Sequence, residues 1–175
     1  MTYRELRNTI VLGLHAHLQI PVCLSSQVNP ESEYPFVVYS STAPYIPDGG
    51  LGQYTQSKTE NGGAKEVRRE QPTCTMSFTV CSIDRSNANG YILGEDEALD
   101  FAERAQGWFL HTGYDYISGK GITVVDVSNV QERSFLQVDE EARRYGFDVV
   151  IRYVREDTRD IDTISGVSTS EKGDC

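Results

Sequence analysis

The chain has 175 residues, 38% of them hydrophobic and 24% charged, enough for one domain with a real core. Its net charge is −10 and its pI about 4.7, so it lacks the basic footprint of a free-standing nucleic-acid binder. The acidic excess reads either as plain solubility or as a surface that must not adhere to DNA.

Residues 2–19 read as a helix. Thr2 caps it, Glu5 completes a capping box, and Leu6, Ile10, Val11, Leu14 and Leu18 make one apolar stripe. Pro21 is expected to stop it. His15 and His17 are two apart, point to different faces and make no metal pair. Residues 20–34 read as a loop. Pro35 to Ser41 is β-branched and aromatic, hence a strand, which Pro44 and Pro47 are expected to end.

Pro44 to Lys65 is the most unusual stretch, with Pro47-Asp48-Gly49-Gly50-Leu51-Gly52 and Asn61-Gly62-Gly63. Connections this long are uncommon inside compact domains. Two readings stand: a disordered surface loop, or a long β-hairpin arm reaching a neighbour and docking Tyr45, Ile46, Leu51 and Tyr54. Glu66 to Glu70 is a charged run that carries the next strand out of the core. That strand, Thr73 to Ile83, alternates cleanly: Cys74, Met76, Phe78 and Val80 face one way, Thr73, Thr75, Ser77 and Thr79 the other. Asp84 to Gly90 is a turn.

A second helix is predicted over 95–112. Ala98, Phe101, Ala102, Ala105, Trp108 and Phe109 form its apolar face, acidic residues fill its first turn, and Gly113 takes the C′ position. Ile122 to Val130 is the next strand. Gln131 to Glu140 connects it onward; Phe135, Leu136 and Val138 suggest an extended hairpin there. Glu141 to Val154 has the clearest pattern in the chain. Tyr145, Phe147, Val149, Ile151 and Tyr153 share one parity, and Gly146, Asp148, Val150, Arg152 and Val154 the other. The apolar parity is expected to face the Trp108–Phe109 helix. Residues 158–175 read as an extension anchored by Ile161 and Ile164, which leaves 1–157 as the domain.

These elements predict an α+β fold: a mostly antiparallel four-stranded sheet, two helices packed on one face, a long hairpin-like loop and a C-terminal extension. Strands one and two, then three and four, are expected to pair.

The sequence holds no nucleophile elbow, phosphate loop or dinucleotide fingerprint. Its carboxylates come in runs, which read as solvated faces. The spacing of Cys23, Cys74, Cys81 and Cys175 fits neither zinc nor a redox pair, so reduced thiols are expected. No secretory signal and no membrane span are read. The expectation is a protein that is not an enzyme, needs no cofactor or metal, and works by its surfaces. Arg143, Arg144, Asp148 and Arg152 on the last strand, with Glu66, Arg68, Arg69 and Glu70, suit salt bridges across a subunit boundary. They equally suit cross-strand pairing within one sheet.

Four phrases resemble tailed-phage neck or tail-terminator (tail-completion) proteins: Glu70 to Val80, Gly107-Trp-Phe109, Gly121 to Val125, and Arg144 to Ile151. The resemblance follows the element order over roughly residues 1–157. It implies a structural virion protein, assembled in the host cytoplasm, that forms a ring, commonly a hexamer, at the head-proximal end of the tail. The ring would stop tube polymerisation, dock the head connector and, in contractile phages, touch the sheath. DNA would pass through its lumen without specific binding, past a wall whose negative charge repels phosphate. Another tail or connector component, such as a tube or head-completion protein, is the alternative. A small-ligand-binding α+β domain is a third.

Overall fold

The computed structural model describes residues 1–27, 33–58, 63–88, 90–134 and 142–161. Two long strands carry the fold: β5 (Thr73–Ser82) and β10 (Arg143–Tyr153). They pair antiparallel without a register break from Arg143↔Ser82 to Arg152↔Thr73. β2 (Phe36–Ile46) flanks β5, and β8 (Ile122–Val127) flanks β10, both antiparallel. These are the four predicted strands, and the two expected pairings are present.

The four-stranded description is nevertheless too small. β1 (Val22–Leu24), in the stretch read as loop, pairs parallel with β2. β9 (Gln131–Glu132) pairs with β10. The result is a mixed six-stranded sheet along β1-β2-β5-β10-β8, with β9 off that path. Three residues are too few to show a period, and a parallel pair has no hairpin turn to announce it. β2 also continues past Pro44. Its register against β5 shifts between Ser41 and Ala43 and again between Ala43 and Ile46, and a proline is tolerated where the ladder is already irregular.

Helix α1 (Tyr3–Leu18) follows its sequence closely. The Glu5 amide donates to the Thr2 hydroxyl at 3.3 Å and the Thr2 amide to the Glu5 carboxylate at 2.7 Å. Leu6, Ile10, Leu14 and Leu18 are buried. Its end is a left-handed Gln19, two residues before the expected stop at Pro21, with the Gln19 amide donating to His15 O at 2.9 Å.

The second helix departs from expectation at its end. α2 (Gly94–Gly107) widens into a π turn over Trp108–Thr112, and α3 (Tyr114–Ser118) follows. The wider turn carries two consecutive aromatics, Trp108 and Phe109, into the core. Gly113 has φ −92 and so is no left-handed C′ residue. It is required for space: a Cβ there would lie 2.5 Å from the Trp108 ring.

The buried residues of α1, α2 and the π turn join Met76, Phe78, Val80, Phe147, Val149 and Ile151 in one core. The helices therefore cover one face of the sheet, as predicted. Phe78 stands at the centre, its ring centroid 5.1 Å from Phe109 and 5.9 Å from Phe147. Phe147 lies 6.0 Å from Phe109 edge to face, so the apolar parity of β10 meets the expected partner. At Gly146 the two central strands approach so closely that a Cβ would fall 2.4 Å from Phe78 O.

Both central strands continue into a second sheet. β4 (Ala64–Glu70) precedes β5 across Gln71-Pro72, and β11 (Arg155–Ile161) follows β10 across Val154. β4 and β11 pair antiparallel from Arg155↔Glu70 to Ile161↔Ala64. β3 (Gln53–Lys58) lies on the other side of β4. The stretch predicted as loop or arm is thus largely a β-hairpin, and the chain from 155 supplies its third strand. A short hairpin, β6 (Arg85–Asn87) and β7 (Gly90–Ile92), replaces the turn predicted before α2. The expected extension of Gln131–Glu140 falls mostly outside the described residues.

Phe78→Ala should lose about 3–5 kcal/mol, the cost of emptying a fully enclosed aromatic site. Urea unfolding should show this as a lower midpoint with an unchanged m-value.

Candidate interaction surfaces

The projecting sheet β3–β4–β11 is ordered by its charges. Across β4 and β11, Arg69 faces Glu156 with an ion pair of 3.0 Å, and Arg68 faces Asp157 at 3.1 Å. Arg155 meets Asp157 on its own strand at 3.2 Å. Of the two readings open for the charged run, these contacts are cross-strand pairing within one sheet. Solvent screening leaves pairs of this kind little net stabilisation, so their value lies in fixing register.

Two carboxylates in the arm are buried. Glu70, 3% exposed, sits where β4 turns into β5. It accepts from the Tyr45 hydroxyl at 3.0 and 3.1 Å and from Arg68 Nη2. Arg155 approaches it to 3.7 Å and lies over the Tyr45 ring. Glu66 accepts from Gln56 Nε2 at 2.9 Å and Arg159 Nε at 2.6 Å. Those two hydrogen bonds hold its pKa below the ordinary glutamate value. A buried carboxylate is tolerated only when its lone pairs are satisfied, so the Glu70 cluster locks β2, β4 and β11 at the bend, and the Glu66 cluster ties β3 and β11 to β4 farther along.

The sheet face away from the helices is polar and centred on Arg133. Its Nη1 donates to Ser77 Oγ at 2.6 Å and Thr79 Oγ1 at 3.1 Å, and its Nη2 to Asp148 at 2.9 Å. Burial disfavours the Asp148 carboxylate, but hydrogen bonds from Ser77 and Arg133 outweigh it and bring its pKa below the usual aspartate value. A further pair, Arg85 with Glu97, ties the β6–β7 hairpin to α2 through bonds of 2.7 and 2.8 Å. These bonds from Arg85, joined by one from Ser82, pull the Glu97 pKa down against partial burial. The start of α2 is held by Asp84, whose carboxylate accepts from the Gly94 amide at 2.7 Å. Glu97 thus belongs to an ion pair rather than to a solvated acidic run.

The candidate residues fall into separate places. Tyr45 and Ile46 end β2, Leu51 precedes β3, Tyr54 lies on β3, and Arg68 and Arg69 on β4. Together they form the base and one side of the arm. Leu51 is 80% exposed, and its carbonyl accepts from Arg68 Nε at 2.6 Å. Ile161, half-buried, ends β11. Arg143 and Arg144 open β10, with the Arg144 amide donating to Ser134 Oγ at 3.0 Å. Arg152 is exposed near the other end of that strand, about 30 Å from Arg143 at strand rise. The fold does not gather Arg143, Arg144, Asp148 and Arg152 into one patch with the arm. Ile164 lies outside the described residues, as does Cys175.

Sequence reasoning missed Arg133, Arg155, Arg85 and the buried state of Glu66 and Glu70. Arg133 sat in a presumed connection. Glu66 and Glu70 do share one parity of their strand, the only local hint of a common face. A further groove of about 380 Å³ lies between the π turn, α3 and β8, lined by Leu110, Tyr114 and Val125 among others. Among the described residues, Cys23 and Cys74 are free thiols, and burial pushes the Cys74 thiol up to about 11. No group of three or more His, Cys, Asp or Glu that could hold a metal comes together there, and no helix is long and apolar enough to cross a membrane.

The chain is thus a helix-backed sheet whose central strands run on into a charge-ordered arm. Residues 8–174 match the family described as phage neck terminator protein, and the chain belongs to that family. No curated protein matches the chain. The family is a structural one of the phage neck and not an enzyme class, which places the protein in the virion, in contact with other head and tail components.

Glu97→Gln should destabilise the protein at neutral pH, and the gap should close in acid. A carboxylate with a depressed folded pKa contributes stability above its unfolded value of ~4.3, and that contribution is lost as pH falls through the folded value. Denaturation midpoints at a series of pH values check this. Glu70→Ala should leave Arg68, Tyr45 and Arg155 without their common acceptor. Amide exchange should then rise across 53–58, 64–70 and 155–161 while β5 and β10 keep their protection.

Proposed function

We propose that this protein forms a closed ring, a hexamer, at the head–tail junction. There it ends polymerisation of the tail tube and presents the surface to which the head connector docks. The observation that carries this reading is the family match over nearly the whole chain. A ring of identical subunits needs two different, complementary patches on each copy, because the contact is heterologous. The subunit's build supports this: β8 closes one side of the main sheet, β1 the other, and the arm runs on from its middle strands.

Partners on this reading are the tail tube protein, the head connector and, in a contractile tail, the last sheath ring. The arm-base residues Tyr45, Ile46, Leu51 and Tyr54 are contact candidates, with Ile161 at the end of β11 and Ile164 three positions on in the sequence. Arg143, Arg144 and Arg152 are candidates along β10. Arg68, Arg69 and Asp148 also hold the subunit's own sheets, so their effect on assembly would come through the fold as well. DNA passes through the lumen without specific binding, and a share of the net charge of −10 lines the wall and repels phosphate.

Electron microscopy of particles produced without this protein should show free heads beside tails of abnormal length. Tails of normal length joined to heads would overturn the reading.

A further inference from the structure

The arm is a sheet without an apolar face. All six residues of β3 are exposed, and the two buried side chains named on β4 are the carboxylates Glu66 and Glu70. Three-stranded sheets ordinarily owe their independent stability to an apolar face or to packing on a helix. This one rests on ion pairs and on the bend at Glu70. Among the described residues, β3 and β11 each pair only with β4, so both outer edges of the arm are open. Open edges of this length recruit further strands unless something covers them.

The geometry of these edges selects a partner. β3 and β11 are both antiparallel to β4 and therefore parallel to each other. They lie on opposite sides of the arm. A rotation about an axis along the strands brings the β11 edge of one copy beside the β3 edge of the next, still parallel. We propose that neighbouring copies of this chain join through this β11–β3 seam, so that their arms form one continuous sheet around the ring axis. The proposal rests on the ring reading above and names the contact that closes it.

Charge supports the match. β3 carries a single charge, Lys58, whereas β11 sets three carboxylates against two arginines. Followed across β4, the registers place Tyr54 level with Asp157, Thr55 with Thr158 and Ser57 with Asp160, hydroxyls against carboxylates or one another. In this alignment no row sets like charges together. The competing two-fold seam, β11 against β11 about Thr158, sets Glu156 against Asp160 twice and Asp157 against Arg159 twice, so repulsion between directly opposed like charges offsets its attractive rows.

The test is a cysteine pair, Thr55→Cys with Thr158→Cys, in the full chain. Both sites are exposed. Within one subunit they are two strands apart, ~9.5 Å by strand spacing, beyond the roughly 7 Å Cα limit of a disulfide. A bond between them must therefore link copies. Particles carrying the double variant, mildly oxidised, should give a ladder of covalent multimers on non-reducing gels, absent from either single variant. A ring-sized native mass for the neck assembly without a ladder would overturn the seam and leave the ring standing. Dimers from Thr158→Cys alone would replace the seam with the two-fold one. A neck assembly holding one copy would end both readings.

Discussion

The antiparallel pairing of β5 with β10 is the constraint on which the rest depends. Its ten-residue register sets one apolar parity from each strand toward the helices. It also sets Ser77, Thr79 and Asp148 together on the other face, where Arg133 binds all three. Gly146 shows how tightly the pair is drawn, since Phe78 O occupies the space a side chain would need. A slip of one residue would turn every one of these side chains to the wrong face.

The same pair generates the arm. Because β4 leads into β5 and β11 leaves β10, the two strands bend together at Pro72 and Val154, where the Tyr153 amide donates to Pro72 O at 3.1 Å. Beyond that bend the organising force changes. The main sheet is held by apolar burial, and the arm by charges. Glu70 sits at the boundary, with partners from β2, β4 and β11. Isolated surface pairs are weak, but a buried carboxylate held from three strands fixes an angle, because releasing any partner leaves charge in a site that cannot hydrate it.

This division suits a neck subunit. A rigid helix-backed sheet gives each copy a defined shape, and the arm's outer edges, open among the described residues, are the surfaces the proposed seam would join. A charged edge resists indiscriminate aggregation of free subunits while still accepting a matched neighbour.

The sequence by itself determined the elements whose signal is local. The capping box and stripe of α1, the alternation of β5 and the parities of β10 follow from helical and strand periods and from side chains within a few residues of one another. It also carried the family, through short phrases in the right order. Tertiary structure alone decided the parallel addition of β1, the continuation of β2 past Pro44, the π turn at Trp108, and the passage of the central strands into a second sheet. It alone decided that Glu66 and Glu70 are buried, that Asp148 belongs to Arg133, and that the arm candidates lie apart from Arg143. Each of these depends on partners tens of residues away. Arg155 reaches Glu70 only because β11 lies on β4, and Trp108 needs a widened turn only because Phe78 and Phe147 await Phe109 beside it. Local periods say which face of an element is apolar; only the sum of packing, hydrogen bonding and chain connection says what that face meets.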